Sequence, residues 1–383
     1  MTLGRVTNDA RRLLAIGAAA LLVGGSGAVA AVRHSSPAVR TVAAVPSVTP
    51  SAVKPSPSPT AARVTPPKSP TKAPVAKPLY PLPAGPVALT GCPPPKRPRG
   101  GTPYKPWRPS VVVPESALPA ALPALARKPS LDALRGKGMW TYEWERTEGG
   151  SAAAVVRKAK AAGLTSIWVR TGSSKSGFYA APELRALLPL AHAAGIKVVA
   201  WDFPYLYDPV ADATRAARTL AFSVGGHRID AFSPDIESPS EGTQLTRKRL
   251  RVYLGLVQRA VGERPVVSTV PPTNDHWWKT YDYRTQVPYV DAFAVMAYWN
   301  CNEPGREIVR SIGRLAPFGK PLHFIGQAFD FGPYGGRRGD PTGREVWRFV
   351  DVAKRRGVLG ASLYVWQHST AEQFRALGAY PWG

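Results

Sequence analysis

Cysteine is nearly absent: the 383-residue chain carries two, Cys92 and Cys301, far apart in sequence. The six histidines are scattered with no metal-ligand spacing, so neither residue type supports a metal site. No glycine-rich phosphate loop follows any strand pattern, and nothing signals a nucleotide, so no cofactor is expected. No known nucleic-acid-binding motif occurs either. Acidic residues are scarce, 25 against 50 basic ones, for a net charge of +25.

That charge is unevenly placed. Up to Arg135 there are 18 Lys and Arg against three acids, so the basic excess belongs mainly to a tail. Long apolar runs are also missing, with one exception at the start. Arg5, Arg11 and Arg12 precede an uncharged run from Leu13 to Val32 that ends in Ala28-Val29-Ala30. A positive segment, an apolar segment and small residues in an A-x-A pattern read as a secretory signal over residues 1–32. An uncleaved membrane anchor is the alternative, since about 20 apolar residues span a bilayer. Either way the expected location is extracytoplasmic: secreted, or held at the cell surface through this segment.

Residues 33–135 read as a linker. Of 41 prolines, 22 lie between Pro37 and Pro114, mixed with Ser, Thr, Ala, Val and Lys. Proline fixes φ and removes amide donors, so an extended spacer is expected. A basic extended tail is attracted to anionic polymers of a cell envelope. The export signal argues against nucleic acid as its partner. The latter part, with Tyr104, Trp107 and Val111-Val112-Val113, is sticky enough to pack on the domain that follows.

From Gly136 to Gly383 short Val/Ile/Ala-rich runs alternate with amphipathic stretches. The expected strands are Met139–Trp144, Ser166–Thr171, Lys197–Asp202, Ile229–Glu237, Pro265–Val270, Val290–Tyr298, Pro321–Ala328 and Gly360–Trp366. The expected helices are Ala152–Ala162, Pro182–Ala194, Asp208–Phe222, Thr243–Val261, Pro304–Leu315 and Thr342–Arg356, with a weaker pattern over Asp275–Val287. Gly163 and Gly195 mark two of the helix ends. Eight strand–helix units in this length fit an α/β fold, a closed (β/α)8 TIM barrel. An open doubly wound sheet is the rival, weakened by the missing phosphate loop.

Barrel active sites form at the carboxyl ends of the strands. Here the fourth expected strand ends in Asp235-Ile236-Glu237. Side chains alternate along a strand, so both carboxylates share a face with the small Ala231 and Ser233, while Phe232 and Ile236 face helices. Unpaired buried carboxylates are costly and call for a reason. The structural alternative is a salt bridge to Arg170 or a loop cation, and Glu241 reads as an acid at a helix start. Other strand ends carry Trp140, Glu143, Arg170, Trp201, Asp202, Tyr298, Trp299, Asn300, Gln327, Trp366 and Gln367. Eight of the eleven tryptophans lie in or just after expected strands. Flat apolar faces mixed with acids and amides suit a sugar, with about half of these rings left as ordinary packing.

These residues resemble those of the family-18 chitinases and family-25 lysozymes. Family 18 carries D-G-x-D-x-D-x-E on its fourth strand, and Asp230, Asp235 and Glu237 match three of its acids. Ser233 stands where that pattern has its second Asp, and Ala231 where it has Gly. Met296-Ala297-Tyr298 matches the M-x-Y-D of the sixth strand, with Trp299 in place of Asp. Trp366 matches the tryptophan ending the eighth strand. Asp235-x-Glu237 and Trp366-Gln367 also resemble the family-25 signature, whose first-strand aspartate has only Glu143 near it. The resemblance covers residues 136–383. It implies substrate-assisted hydrolysis of an N-acetylated sugar, an exception to the ordinary two-carboxylate scheme. Glu237 would be the general acid and base, Asp235 and Tyr298 would orient the acetamido group, and Trp366 would floor the sugar ring. Asp202, Gln327 and Asn300 are hydroxyl partners by position. Trp140, Glu143, Trp201, Trp299 and Gln367 complete the expected glycan-binding set.

The expected function is an exported glycosidase acting on an amino-sugar polysaccharide of cell-wall or chitin type. The alternative is a catalytically silent barrel that binds glycan or protein. In an oxidising exterior the two cysteines are expected to pair, tying the tail to the barrel mouth through Cys301, with two free thiols as the alternative.

Overall fold

The structure is a computed structural model, and it describes residues 87, 89–92, 106–334 and 336–382. The expected signal or anchor and most of the expected linker lie outside the described residues.

Eight parallel strands form the barrel wall: β1 Gly136–Thr141, β2 Ser166–Ser173, β4 Lys197–Phe203, β5 Ala231–Pro234, β6 Val267–Val270, β7 Ala292–Met296, β8 Leu322–Gln327 and β9 Gly360–Tyr364. A two-residue strand, β3 Gly177–Phe178, pairs antiparallel with the end of β2. The wall runs β5-β4-β2-β1-β9-β8-β7-β6. Parallel bridges Phe232 to Val266 and Asp235 to Thr269 join its two ends and nearly close the ring. This is the (β/α)8 barrel the alternation predicts, and it excludes the open sheet.

Helices α1 Ala152–Ala161, α2 Ala181–Ala193, α3 Pro209–Ala221, α4 Arg247–Ala260, α5 Asp275–Thr280, α6 Arg306–Leu315, α7 Gly343–Arg355 and α8 Ala371–Ala379 surround the wall. Their starts follow capping chemistry. The Asp208 side chain accepts from the Val210 and Ala211 amides at the start of α3. Thr342 and Glu345 form a capping box on α7, and Thr370 and Gln373 form one on α8.

Two buried layers result from the strand alternation. Ile167, Val169, Val198, Ala200, Phe232, Ile236, Phe293 and Phe324 face the helices. Trp140, Trp168, Val199, Trp201, Ala231, Ala294, Met296 and Tyr364 face the barrel axis. Large and small interior residues complement each other. Trp140 stacks on Trp168 at 4.5 Å, and Gly138 leaves space where a Cβ would meet the Trp168 indole nitrogen at 2.9 Å.

The first strand begins three residues earlier than expected and stops at Thr141, which leaves Glu143 and Trp144 in a loop. The reason is Lys137. It is buried in β1 and donates to the Leu377 and Tyr380 carbonyls at 2.6 and 2.9 Å, so it satisfies the C-terminal end of α8. Burial pushes its amine down to about 8.

The described segment before β1 packs along the barrel. Trp107 meets Tyr205 and Tyr207 edge-on at 4.9 and 5.9 Å. Leu125 donates to Gln258 Oε1 at 2.7 Å, and Arg127 reaches Asp291 at 3.4 Å. Cys92 and Cys301 form a disulfide with Cα atoms 5.7 Å apart. Beside it, Arg338 donates its amide to the Gly91 carbonyl and Arg337 Nε donates to the Thr90 carbonyl. No helix of the described residues is long and apolar enough to cross a membrane.

Candidate active site

Strand β5 ends at Pro234, and the chain then runs through Asp235-Ile236-Glu237 across the barrel mouth. Three hydrogen bonds hold that backbone. Asp235 donates its amide to the Asp202 carbonyl at 2.8 Å, and Ile236 donates to the Thr269 carbonyl at 3.2 Å. The Tyr281 hydroxyl donates to the Ile236 carbonyl at 2.6 Å. Below them, Ser233 Oγ bonds the Val267 carbonyl at 2.8 Å and Thr269 Oγ1 at 2.7 Å. The serine hydroxyl is therefore used to tie β5 to β6.

Asp235, Glu237 and Glu241 are all buried, at 7, 1 and 2% exposure. Each also keeps one carboxylate oxygen without a hydrogen-bond partner. Burial pushes the Asp235 carboxyl up to about 7, against the pull of the Arg170 guanidinium. Burial raises Glu237 well above the usual carboxylate range, and the charges of Asp235 and Glu241 raise it further. Glu241 rises to about 8, again through burial and then through Asp235. Carboxyls this crowded cannot all ionise together, so one of them holds a proton near neutrality. That is the state a general acid needs.

The surrounding wall is aromatic. Tyr298 packs among Phe329, Phe331 and Tyr364. The charges of Asp235 and Glu237 act on both Tyr298 and Tyr364, whose hydroxyls are raised by burial first. Tyr142 stacks on Trp201 at 6.2 Å. Arg170 lies over both rings, at 4.4 and 5.4 Å. It forms no ion pair with any described acid, so the salt bridge weighed for the two carboxylates is not made.

Several expected partners are turned away. Trp366 faces the helix layer, with Nε1 donating to Glu148 Oε1 at 2.9 Å and its ring against Phe374. The strand ends at Tyr364, and the 3-10 turn Trp366–His368 breaks the alternation that would have aimed the indole inward. Trp299 likewise points outward and donates to Glu345 Oε2 at 2.8 Å. Asp202 is consumed by Arg215 Nε at 2.9 Å. Gln327 spends its amide on backbone, accepting from the Asn300 amide and donating to the Phe329 carbonyl. Asn300 in turn accepts from the Arg337 amide at 2.8 Å. Trp140 is 1% exposed in the interior and donates to Ser362, so it cannot form a sugar platform. Glu143 pairs with Arg146 at 2.7 Å on its loop. Gln367 keeps both amide atoms buried without a partner. Asp230 lies at the opposite end of the strand, where it accepts from the Val198 amide and bonds His192.

The residues brought together are thus Asp235, Glu237, Tyr298 and Trp201, joined by four to which the sequence assigned no substrate role: Glu241, Tyr364, and the strand-end residues Arg170 and Tyr142. Arg170 and Tyr364 had a usable signal. Each shares the inward face of its strand with Trp168 or Ser362, two residues before it. Glu241 lies on a 3-10 turn, Pro239–Glu241, where no period applies. A groove of about 570 Å³ between Trp107, Phe178, Tyr207 and Arg218 contains none of these carboxylates, so size alone does not mark the site.

No family model and no curated protein matches the chain. Among solved structures it is similar to an endo-1,4-beta-mannanase from Rhizomucor miehei, at 7% identity and TM-score 0.47, covering 64% of this chain and 90% of that one. It is also similar to a class V chitinase from Pseudomonas fluorescens, at 11% identity and TM-score 0.44, covering 64% and 99%. A chitinase-like agglutinin from Robinia pseudoacacia gives 11% identity and TM-score 0.46, with the same coverage. At these identities the chemistry has to be read from this chain's own residues.

Proposed function

We propose that the chain is a glycoside hydrolase acting on a glycan that contains N-acetylated amino sugars. The observation that carries the reading is the group of buried carboxylates after β5, with oxygens left unpaired at the mouth of the barrel. Such a cost is tolerated where a ligand or a proton completes the site. Glu237, protonated by burial and by its acidic neighbours, gives its proton to the glycosidic oxygen as that bond breaks. The substrate's acetamido oxygen attacks the anomeric carbon, and Asp235 balances the positive charge of the ring that forms. Water then attacks the same carbon and yields its proton to Glu237. Tyr298, beside both carboxylates, supplies a hydroxyl for the acetamido group. The substrate-assisted scheme rests on the motif resemblance at Asp235, Glu237, Met296 and Tyr298. The Cys92–Cys301 disulfide is in keeping with export to an oxidising compartment.

A silent, glycan-binding barrel is the second reading. It is favoured by Ser233, which stands at the place of an acid and spends its hydroxyl on β6. One assay separates the two: release of reducing ends from chitin oligomers and peptidoglycan strands by wild type and Glu237→Gln. Loss of general acid–base help costs roughly 10²–10⁴ in rate. Equal release by both proteins removes Glu237 from its role. Tight binding without turnover by wild type establishes the silent barrel.

A further inference from the structure

The described residues contain five buried cations: Lys137, Arg170, Arg215, Arg249 and Arg337. Four are spent within the fold. Lys137 holds the Leu377 and Tyr380 carbonyls, and Arg215 holds Asp202 and Asp212. Arg249 donates to the Leu206 and Tyr207 carbonyls, and Arg337 pairs with Glu345. Arg170 differs. It has neither an ion pair with a described acid nor a backbone carbonyl partner, and its Nε, like one Arg215 nitrogen, is buried with no acceptor.

Its position is set by the barrel. Arg170 pairs in register with Trp201 and follows the interior-facing Trp168 by two residues, so it is on the axial face near the end of β2. The rings of Tyr142 and Trp201 hold its guanidinium. Cation–π contact and a hydrogen bond to the Tyr142 hydroxyl offset part of the desolvation cost, yet the in-plane Nε–H donor stays without an acceptor. A guanidinium presents its N–H donors as a fork that fits a carboxylate. The Arg170 charge pulls on the Asp235 carboxyl, which burial raises, and no described acid pairs with it, so Arg170 brings a positive charge to the mouth.

We propose that Arg170 recognises a carboxylate on the glycan, so that the substrate is an acidic amino-sugar polymer rather than a neutral one. The proposal rests on the glycosidase reading and narrows its substrate class. Two sources share this chemistry: an ether-linked carboxylate on the amino sugar itself, as in peptide-free peptidoglycan strands, and a neighbouring uronate, as in hyaluronan oligomers.

The test compares each polymer with its carboxyl-reduced counterpart, in which the acid is an alcohol. Wild type is expected to prefer the carboxylate form of one pair by about 10–100-fold in kcat/KM, the range of one charge-assisted contact. The preferred pair identifies the source. In Arg170→Gln that ratio is expected to fall to about one, and in Arg170→Lys to an intermediate value, because the charge stays while the fork is lost. Equal turnover of acid and reduced forms by wild type overturns the proposal and leaves the glycosidase reading standing. A preference that survives Arg170→Gln assigns the recognition to another group and also overturns it. If wild type cleaves none of the polymers, the glycosidase reading fails, and calorimetric binding of the same pairs decides the proposal by the same ratio.

Discussion

Trp366 Nε1 donates to Glu148 Oε1 at 2.9 Å, and Lys158 holds the same oxygen at 2.5 Å. The indole therefore belongs to a contact between the loop before α1 and helix α8, where it meets Phe374 edge-on at 5.1 Å. Trp366→Phe removes the donor and keeps most of the packing. We expect a stability loss of roughly 1.5–3 kcal/mol, the usual worth of one hydrogen bond to a charged group. Glycan kcat/KM should stay within about twofold, since the ring packs in the helix layer against Phe374. Urea unfolding and the glycan assay check this. A tenfold rise in KM at unchanged stability would place the ring back in the site.

The fold was legible where a period exists. Alternation along Ile229–Glu237 correctly separates Phe232 and Ile236, which face helices, from Ala231, which faces the barrel axis. The rule fails at Trp366, two residues past the end of β9, where a 3-10 turn and the Glu148 partner set the direction of the indole. Trp299, three residues past β7, keeps the outward parity of Val295 and Ala297, and its indole donates to Glu345. Lys137 hid the start of β1, because a lysine inside a buried strand makes sense only once its carbonyl partners on α8 are in place. Glu241 was hidden for a similar reason: it lies on the irregular turn Pro239–Glu241, and its burial is set by tertiary packing rather than by any period.

The disulfide closes a loop of 209 residues and fixes the strip at Thr90 and Gly91 against Arg337 and Arg338. Cross-links of this kind stabilise by roughly 2–4 kcal/mol, mainly by restricting the unfolded chain. Cys301→Ser is expected to lower the urea midpoint accordingly. Native protein should show no free thiol by alkylation and intact mass. Two alkylated thiols in unreduced material would refute the bridge.

Gln327 joins two mouth loops through backbone alone, at the Asn300 amide and the Phe329 carbonyl. Asn300 has φ 46°, a left-handed conformation that needs such support. Gln327→Leu keeps the volume and strands both backbone groups. A loss of about 1–3 kcal/mol is expected. Because Tyr298 precedes Asn300 by two residues and packs on Phe329 at 5.4 Å, activity should fall with it. Full activity at reduced stability would show that Tyr298 needs no such support.

The carboxylate group also sets how stability depends on pH. In the folded chain Asp235 titrates near 7 and Glu241 near 8, against ordinary values of 3.8 and 4.5. The folded protein then holds protons that the unfolded chain has already lost. The stability these groups contribute is complete below about pH 4 and declines as pH rises through 7 and 8. Each contributes a slope of at most about 1.4 kcal/mol per pH unit. His323, buried and pushed down to about 4, works in the opposite sense up to about 6.5 and is level above it. The window from pH 6.5 to 7.5 is therefore dominated by the acids; Lys137, pushed down to about 8, adds a rise of opposite sign only above it, equally in wild type and variant. We expect the urea midpoint of wild type to fall across it, and that of Glu241→Gln to fall less steeply. Removing the Glu241 charge also lets Glu237 release its proton more readily. The basic limb of the pH–rate profile should move to lower pH in the same variant. A parallel midpoint slope in both proteins, with an unmoved basic limb, would show that Glu241 is not coupled to the pair.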